Sequence, residues 1–375
     1  MIATMKIEQE LLKSFTMGKL QLPNRIVMAP MTRSRAENEH NSPTEDLHAV
    51  YYSQRASAGL IITEGSQISK EAVGYINTAG IHSKEQVAGW KKVTERVHQK
   101  RGRIYIQLWH VGRISHPDFH NGNLPLAPSA LNPQASVYTP EGQKETVKPK
   151  AMTKEDITRT VADFVSAAKN AVEAGFDGVE IHASNGYLLH QFFNGTSNKR
   201  TDEYGGSDEN KSRILFEIID GIKSVMPENQ IGVRLNPSLH GIFGMTMDEE
   251  TIPTFDYIIN RLGKDYDLAY LHLSEPFNDV SDISFAETEI AKRYRPMYKG
   301  TLMINAGFDQ AKGNAVIERG EADLVAYGKP YVSNPDLVER FENNSELSEW
   351  DESTFYTTGK KGYTDYSRAD ASQEA

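Results

Sequence analysis

Eight short apolar runs recur along the chain, each followed by an amphipathic stretch of helical period, and this alternation limits the possible folds more than any other feature. The runs are Ile26–Met28, Leu60–Thr63, Ile104–Leu108, Gly178–His182, Gly232–Leu235, Leu268–Leu273, Leu302–Ile304 and Leu324–Ala326. Helices are predicted near 44–58, 84–100, 154–174, 209–225, 249–263, 285–295, 310–319 and 335–342. The third of these is the clearest. Thr153 and Asp156 stand at capping-box spacing, Ile157, Val161, Phe164, Val165, Ala168 and Val172 recur at helical spacing, and Gly175 ends the run. Eight such units predict a closed parallel (β/α)8 TIM barrel, because an open sheet would not need the eighth repeat.

Two segments fall outside the repeat. Phe15 to Leu20, followed by Leu22-Pro23-Asn24, reads as an N-terminal hairpin-like entry ahead of the barrel. Residues 110–150, rich in Pro, Gly and Asn, read as a long loop after strand three, on the face where such barrels build their sites. Residues 1–375 are expected to form one domain, with a core of about 12–366 and a disordered stretch over the last ten residues.

Composition narrows the partners. A net charge of −10 argues against nucleic acid or an anionic membrane surface, which require a basic footprint. No apolar run approaches the ~18 residues needed to cross a bilayer, and Met1 to Glu10 lacks the apolar centre of a signal peptide, so the cytoplasm is the expected compartment. The chain has no cysteine, which removes disulfides, thiolate metal sites and a thiol nucleophile together.

Function in a barrel sits at the C-terminal ends of the strands. Read in order, those ends carry Pro30-Met31-Thr32, Glu64-Gly65, Gln107-Leu-Trp109-His110, His182-Ala-Ser-Asn185-Gly-Tyr187, Arg234, His272-Leu-Ser-Glu275, Asn305-Ala-Gly307 and Gly328-Lys329. Glycines after strands seven and eight, with the cationic Lys329, are candidates to hold a phosphate through backbone N–H groups.

The segment His182-Ala-Ser-Asn-Gly-Tyr-Leu-Leu-His-Gln-Phe-Phe, running on to Asn198-Lys-Arg-Thr-Asp-Glu-Tyr-Gly-Gly206, closely resembles the Old Yellow Enzyme family of FMN-dependent ene-reductases. So do Asn24–Arg33, Gln107–Arg113, Ala326–Leu337 and Phe355–Tyr366, so that the likeness spans roughly residues 12–366 with its motifs in the family's order. Within the family the chain looks like the branch of N-ethylmaleimide reductase and 12-oxophytodienoate reductase.

The resemblance implies a tightly bound, non-covalent FMN held by Pro30, Met31, Thr32, Gly65, Gln107, Arg234, Gly307, Phe308, Gly328 and Lys329, with NADPH or NADH as reductant. It implies that Thr32 touches flavin O4, Gln107 pairs with the pyrimidine edge, and Arg234 offsets the charge that reduction leaves at N1 and O2. It further implies that His182 and Asn185 activate a small enone, maleimide, quinone or nitro compound, that hydride passes from flavin N5, and that Tyr187 protonates the α-carbon, in ping-pong order. Trp109 and Tyr356 complete the implied substrate pocket. Monomer and homodimer both remain open.

Other readings stand beside these. Glu64 and Glu275 at strand ends could form a glycosidase carboxylate pair, which leaves Gln107, Arg234 and the phosphate glycines without a role. A scaffold without turnover would not need His182 and Tyr187. Arg234 could instead be a structural partner of Glu180, and Trp109 or Tyr356 could be packing. His116 and His120, an i, i+4 pair in a loop, read as solvated residues; no metal is expected. Two departures from the family pattern are Lys329, where the family usually carries Arg, and the polar loop Glu37–Pro43.

Overall fold

The computed structural model of the chain describes residues 9–369. Among them eight parallel strands close into a barrel in sequential order: β1 Ile26–Met28, β2 Leu60–Gln67, β3 Ile104–Trp109, β4 Gly178–His182, β5 Ile231–Leu235, β6 Tyr270–Ser274, β7 Leu302–Asn305 and β8 Leu324–Tyr327. All eight strands are buried along their whole length, as expected for a parallel sheet with helices outside and side chains filling the interior. The bottom of the barrel is plugged by a cluster that includes Leu60, Ile62, Tyr105, Tyr270, Met303 and Leu324. Gly178 and Gly232 make this plug possible, because a Cβ there would lie 2.3 Å from the ring carbons of Tyr105 and Tyr270 respectively. The predicted hairpin, Phe15–Met17 paired antiparallel with Leu20–Leu22, packs Met17 and Leu22 onto the same cluster.

The helix Lys154–Glu173 begins as its sequence predicts. Thr153 Oγ1 accepts from the Asp156 N–H at 3.1 Å, and Asp156 Oδ2 accepts from the Thr153 N–H at 2.9 Å. Its buried face is Ile157, Phe164, Ala167, Ala168 and Ala171; Val172, expected on that face, is exposed. Elsewhere boundaries shift. The predicted helix 44–58 is a five-residue π turn, Glu45–Ala49, running into Val50–Gln54, and 285–295 is helical only over Ile290–Tyr294.

The long loop expected over 110–150 follows β3 and carries local structure of its own. That segment holds an antiparallel hairpin, Ser136–Thr139 with Gly142–Glu145, and a short parallel pair, Leu126–Ala127 with Lys150–Ala151. His116 and His120 are partly exposed and also hydrogen-bonded within the loop: His116 Nδ1 accepts from the Asp118 N–H, and His120 Nε2 shares a hydrogen bond with Ser115 Oγ at 2.9 Å. The expectation of a disordered end falls partly on 370–375 and that of a missing signal peptide partly on 1–8, outside the described residues. Up to Ala369 the tail is tied down, with the Ala369 N–H donating to Asp336 and Arg340 donating to the Ser367 carbonyl.

Candidate active site

Strand register brings the polar residues together. Glu180 lies opposite Gln107, His182 opposite Arg234, Arg234 opposite His272, and Ser274 opposite Asn305. Because alternate residues of a strand share a face, Glu180 and His182 both point inward, one layer apart. Glu180 forms the floor: its carboxylate accepts from Gln107 Nε2 at 2.8 Å and from His272 Nδ1 at 2.8 Å, with no solvent exposure. Burial pushes its carboxyl up, but His272, Arg234 and Gln107 outweigh burial and hold it below the usual range, so it stays ionised. Burial keeps His272 neutral, with the Nδ1 proton directed at Glu180.

Arg234 makes no direct ion pair or hydrogen bond with Glu180, though the two buried charges attract each other across the site. Its Nη2 donates to the Asn305 amide oxygen at 2.9 Å, while the Asn305 nitrogen donates to Ser274 Oγ at 2.8 Å. The buried Nε of Arg234 has no protein partner among the described residues.

Beyond β4 the chain makes a tight turn that presents the proposed catalytic groups. Asn185 and Gly186 take positive φ of 58° and 82°, which an amide side chain and a glycine tolerate best. The Tyr187 N–H donates to Ser184 O at 3.2 Å, and Tyr187 starts the short helix Leu188–Phe193. The Ser184 N–H and Oγ lie 3.4 and 3.3 Å from His182 Nδ1, so Nδ1 is the acceptor and the His182 proton sits on Nε2. Burial and then Arg234 depress the His182 pKa well below its ordinary value, keeping the ring neutral. Asn185 Oδ1 accepts from Asn236 Nδ2 at 3.3 Å, which leaves its NH2 to donate elsewhere.

His182, Asn185, Tyr187, Trp109, Gln107, Arg234, Pro30, Met31, Thr32, Gly328, Lys329 and Tyr356 all line one cavity of about 370 Å³ at the top of the barrel. Trp109 stacks on His182 with centroids 6.2 Å apart and meets Tyr187 edge-on at 5.0 Å. Three expected residues are not in its wall. Gly65 lies under Trp109, where a Cβ would come within 2.8 Å of two ring carbons, so its visible role is to let the indole lie flat. Gly307, with φ of 77°, and Phe308, half-buried against the core, sit beyond the end of β7. The carboxylate pair of the glycosidase reading is also dispersed. A register shift between Ile62 and Gly65 turns Glu64 outward, toward Tyr52 Oη at 3.2 Å, and Glu275 caps Ile290 and Ala291 through their N–H groups.

Sequence reading missed three contributors. Arg33 and Arg35, buried just past β1, grip the C-terminal segment: Arg33 donates to the carbonyls of Phe355 (3.1 Å) and Gly362 (2.7 Å), Arg35 to those of Thr354 (2.9 Å) and Gly359 (3.0 Å). This clamp seats Phe355 and Tyr356 on the rim. The third is Tyr75, in the loop after β2, whose hydroxyl is 3.1 Å from that of Tyr187. Its position on the barrel's functional face was the available signal.

Comparison with known proteins agrees with this geometry. The NADH:flavin oxidoreductase / NADH oxidase family model matches residues 10–348. The chain belongs to the Old Yellow Enzyme family. This Old Yellow Enzyme is 40% identical over 363 residues to 12-oxophytodienoate reductase 1 of Oryza sativa subsp. japonica, covering 95% of this chain and 92% of that one. A structure of morphinone reductase superposes with a TM-score of 0.91 at 41% identity, covering 99% of this chain and 100% of that one. The Old Yellow Enzyme homologue from Zymomonas mobilis gives 0.89 at 36% identity, over 96% and 99% of the two chains. The protein is thus an NAD(P)H-dependent flavin oxidoreductase. Its cavity fits a flavin on chemical grounds. A buried guanidinium with an unpartnered N–H suits a ring that gains negative charge, and Gln107, with Nε2 engaged by Glu180, keeps an amide oxygen and a second N–H to offer. No helix among the described residues is long and apolar enough to cross a membrane.

Proposed function

We propose that this Old Yellow Enzyme is an ene-reductase, reducing the activated C=C bond of α,β-unsaturated carbonyl or nitro compounds. Its reductant would be NADPH or NADH and its order ping-pong. The observation that carries the reading is the convergence on one cavity of two neutral hydrogen-bond donors, His182 Nε2–H and the Asn185 amide, with the Tyr187 phenol. FMN, when bound, supplies the hydride.

Thr32, Gln107 and Arg234, with Pro30 and Met31, would hold the flavin ring, Gly65 contributing through the seat it gives Trp109; Gly328 and Lys329, with Gly307 and Phe308 beyond the end of β7, would hold its phosphate. His182 and Asn185 donate to the substrate's carbonyl or nitro oxygen, which draws electron density from the β-carbon and stabilises the negative charge that develops on oxygen. Since both donors are uncharged, this grip does not depend on a protonated imidazole. Tyr187 gives its proton to the α-carbon. Burial first, then Tyr75, raises its pKa well above the ordinary phenol value, so the group is fully protonated and ready to act as an acid at neutral pH. Trp109 and Tyr356 wall the substrate and help exclude water.

Rapid-mixing measurement of the two half-reactions tests the assignment. Tyr187→Phe should slow enone reduction by roughly 10²–10⁴-fold, the usual contribution of a positioned general acid, and leave flavin reduction by nicotinamide within about twofold. Equal loss in both half-reactions removes Tyr187 from the acid role. His182→Ala with Asn185→Ala should abolish phenol charge-transfer bands, and their survival would contradict the oxygen-binding role.

A further inference from the structure

A second and larger cavity, of about 1520 Å³, opens on the same barrel face between the loops after β1, β2 and β3. Its wall mixes apolar surface with polar groups, Lys70, Asn77, His82, Asp118 and His120 among them, which offer water hydrogen-bond partners. Tyr75 belongs to this outer wall, while Tyr187 belongs to the inner cavity, and the two hydroxyls share a hydrogen bond at 3.1 Å in which either can donate. The Tyr75 ring is fixed by stacking on Trp109, centroids 5.5 Å apart and planes 15° apart, and it meets Tyr187 edge-on at 6.4 Å.

Tyr187 faces a supply problem once substrate covers the inner cavity. Each turnover takes its proton, and its burial makes the resulting phenolate costly to keep. We propose that Tyr75 is a proton-relay residue, carrying protons from water in the outer cavity to Tyr187. The inference rests on the reading of Tyr187 as the acid. In the relay the Tyr187 O–H bond breaks as the α-carbon, holding the electron pair of the former double bond, takes the proton. In the same event the Tyr187 oxygen takes the Tyr75 proton, and Tyr75 takes one from a water molecule whose hydroxide is neutralised by bulk acid, so that one solvent proton is consumed per alkene reduced. No oxidant or reductant beyond the established pair is involved. Burial raises the Tyr75 phenol to about 12, so it too is protonated and available to donate at neutral pH.

Tyr75→Phe is the direct test, because it removes the hydroxyl and keeps the ring that stacks on Trp109. In the flavin-loaded enzyme, reoxidation by 2-cyclohexenone should slow about tenfold, part of the roughly 10²–10⁴ available to the whole acid function, while flavin reduction by nicotinamide is unchanged. The plot of reoxidation rate against deuterium fraction should curve in the parent enzyme and become linear in Tyr75→Phe. Introduced into Tyr187→Phe, the same change should have no further effect, since residues acting as one unit are non-additive. The relay is overturned by an unchanged reoxidation rate, by an equal drop in the Tyr187→Phe background, or by a matching loss of flavin reduction. Failure of the parent reading looks different: there Tyr187→Phe itself would keep its enone reductase activity.

Discussion

Replacing Glu180 by Gln probes the floor of the active site with almost no change in volume. The carboxylate accepts two hydrogen bonds at 2.8 Å, from Gln107 and His272, in a fully buried position. An amide has one acceptor oxygen, so its NH2 faces either Gln107, leaving that donor without a partner, or His272, which must then carry its proton on the buried, unpartnered Nε2. Losing one charge-assisted bond costs about 1.5–3 kcal/mol, and leaving Arg234 buried without a nearby anion brings the total toward about 3–5 kcal/mol. With an unfolding entropy of about 2.1 cal/mol/K per residue, the 375-residue chain loses about 4–6 °C in Tm. Calorimetry or circular dichroism of the flavin-free protein reads this value. The same substitution removes the negative charge that opposes Arg234, so the midpoint potential of bound flavin should move to a more positive value, measured by dye-coupled reductive titration. A Tm within about 1 °C of the parent, together with an unmoved potential, would refute the view that Glu180 organises the site.

Gly65→Ala puts a Cβ 2.8 Å from two Trp109 ring carbons, so the indole must retreat by roughly 0.7 Å to reach ordinary contact. This should cost about 1–3 kcal/mol and shift tryptophan fluorescence, and an unchanged melt and spectrum would show that Trp109 is not held in place there. Lys329 Nζ pairs with Glu352 at 2.7 Å on the exposed rim, and as a single cationic centre it cannot form the two-pronged contact of a guanidinium. Lys329→Arg should therefore lower the FMN dissociation constant several-fold in a fluorescence titration, and unchanged retention would remove this residue from the phosphate site. Acid stability offers an independent check. Burial holds His48, His110 and His190 neutral, each down to about 3, and lowers His182 and His272 as well, so below about pH 6.5 the unfolded chain binds protons at these five rings that the native state does not. Glu64, raised to about 7 by burial, opposes this by one proton between about pH 7 and 4.5. The surplus of buried neutral imidazoles over raised carboxyls predicts that stability falls as pH drops below about 6.5. A urea midpoint that stays level from pH 7 to 5 would disprove that balance.

The sequence alone determined the barrel and most of the cavity wall. Strand and helix periods are local properties of the chain, and eight repeats admit few closures, so β1 to β8 were legible to within a few residues. The strand-end residues His182, Asn185, Tyr187, Gln107, Arg234, Trp109 and Lys329 were legible for the same reason, since the C-terminal end of every barrel strand opens on one face.

Tertiary structure decided what depends on pairing across the chain. Whether Glu180 serves Arg234 or Gln107 and His272 follows from barrel register, which one strand's sequence does not contain. The one-residue bulge in β2 turned Glu64 away from the cavity and set Gly65 beneath Trp109; the glycine is its one local mark, and which way Glu64 turns follows only from the pairing with β3. The arginine clamp on the C-terminal segment joins residues more than 300 positions apart, and Tyr75 meets Tyr187 across 112. A hydrogen bond between loops far apart in the chain carries no periodic signal in either of them.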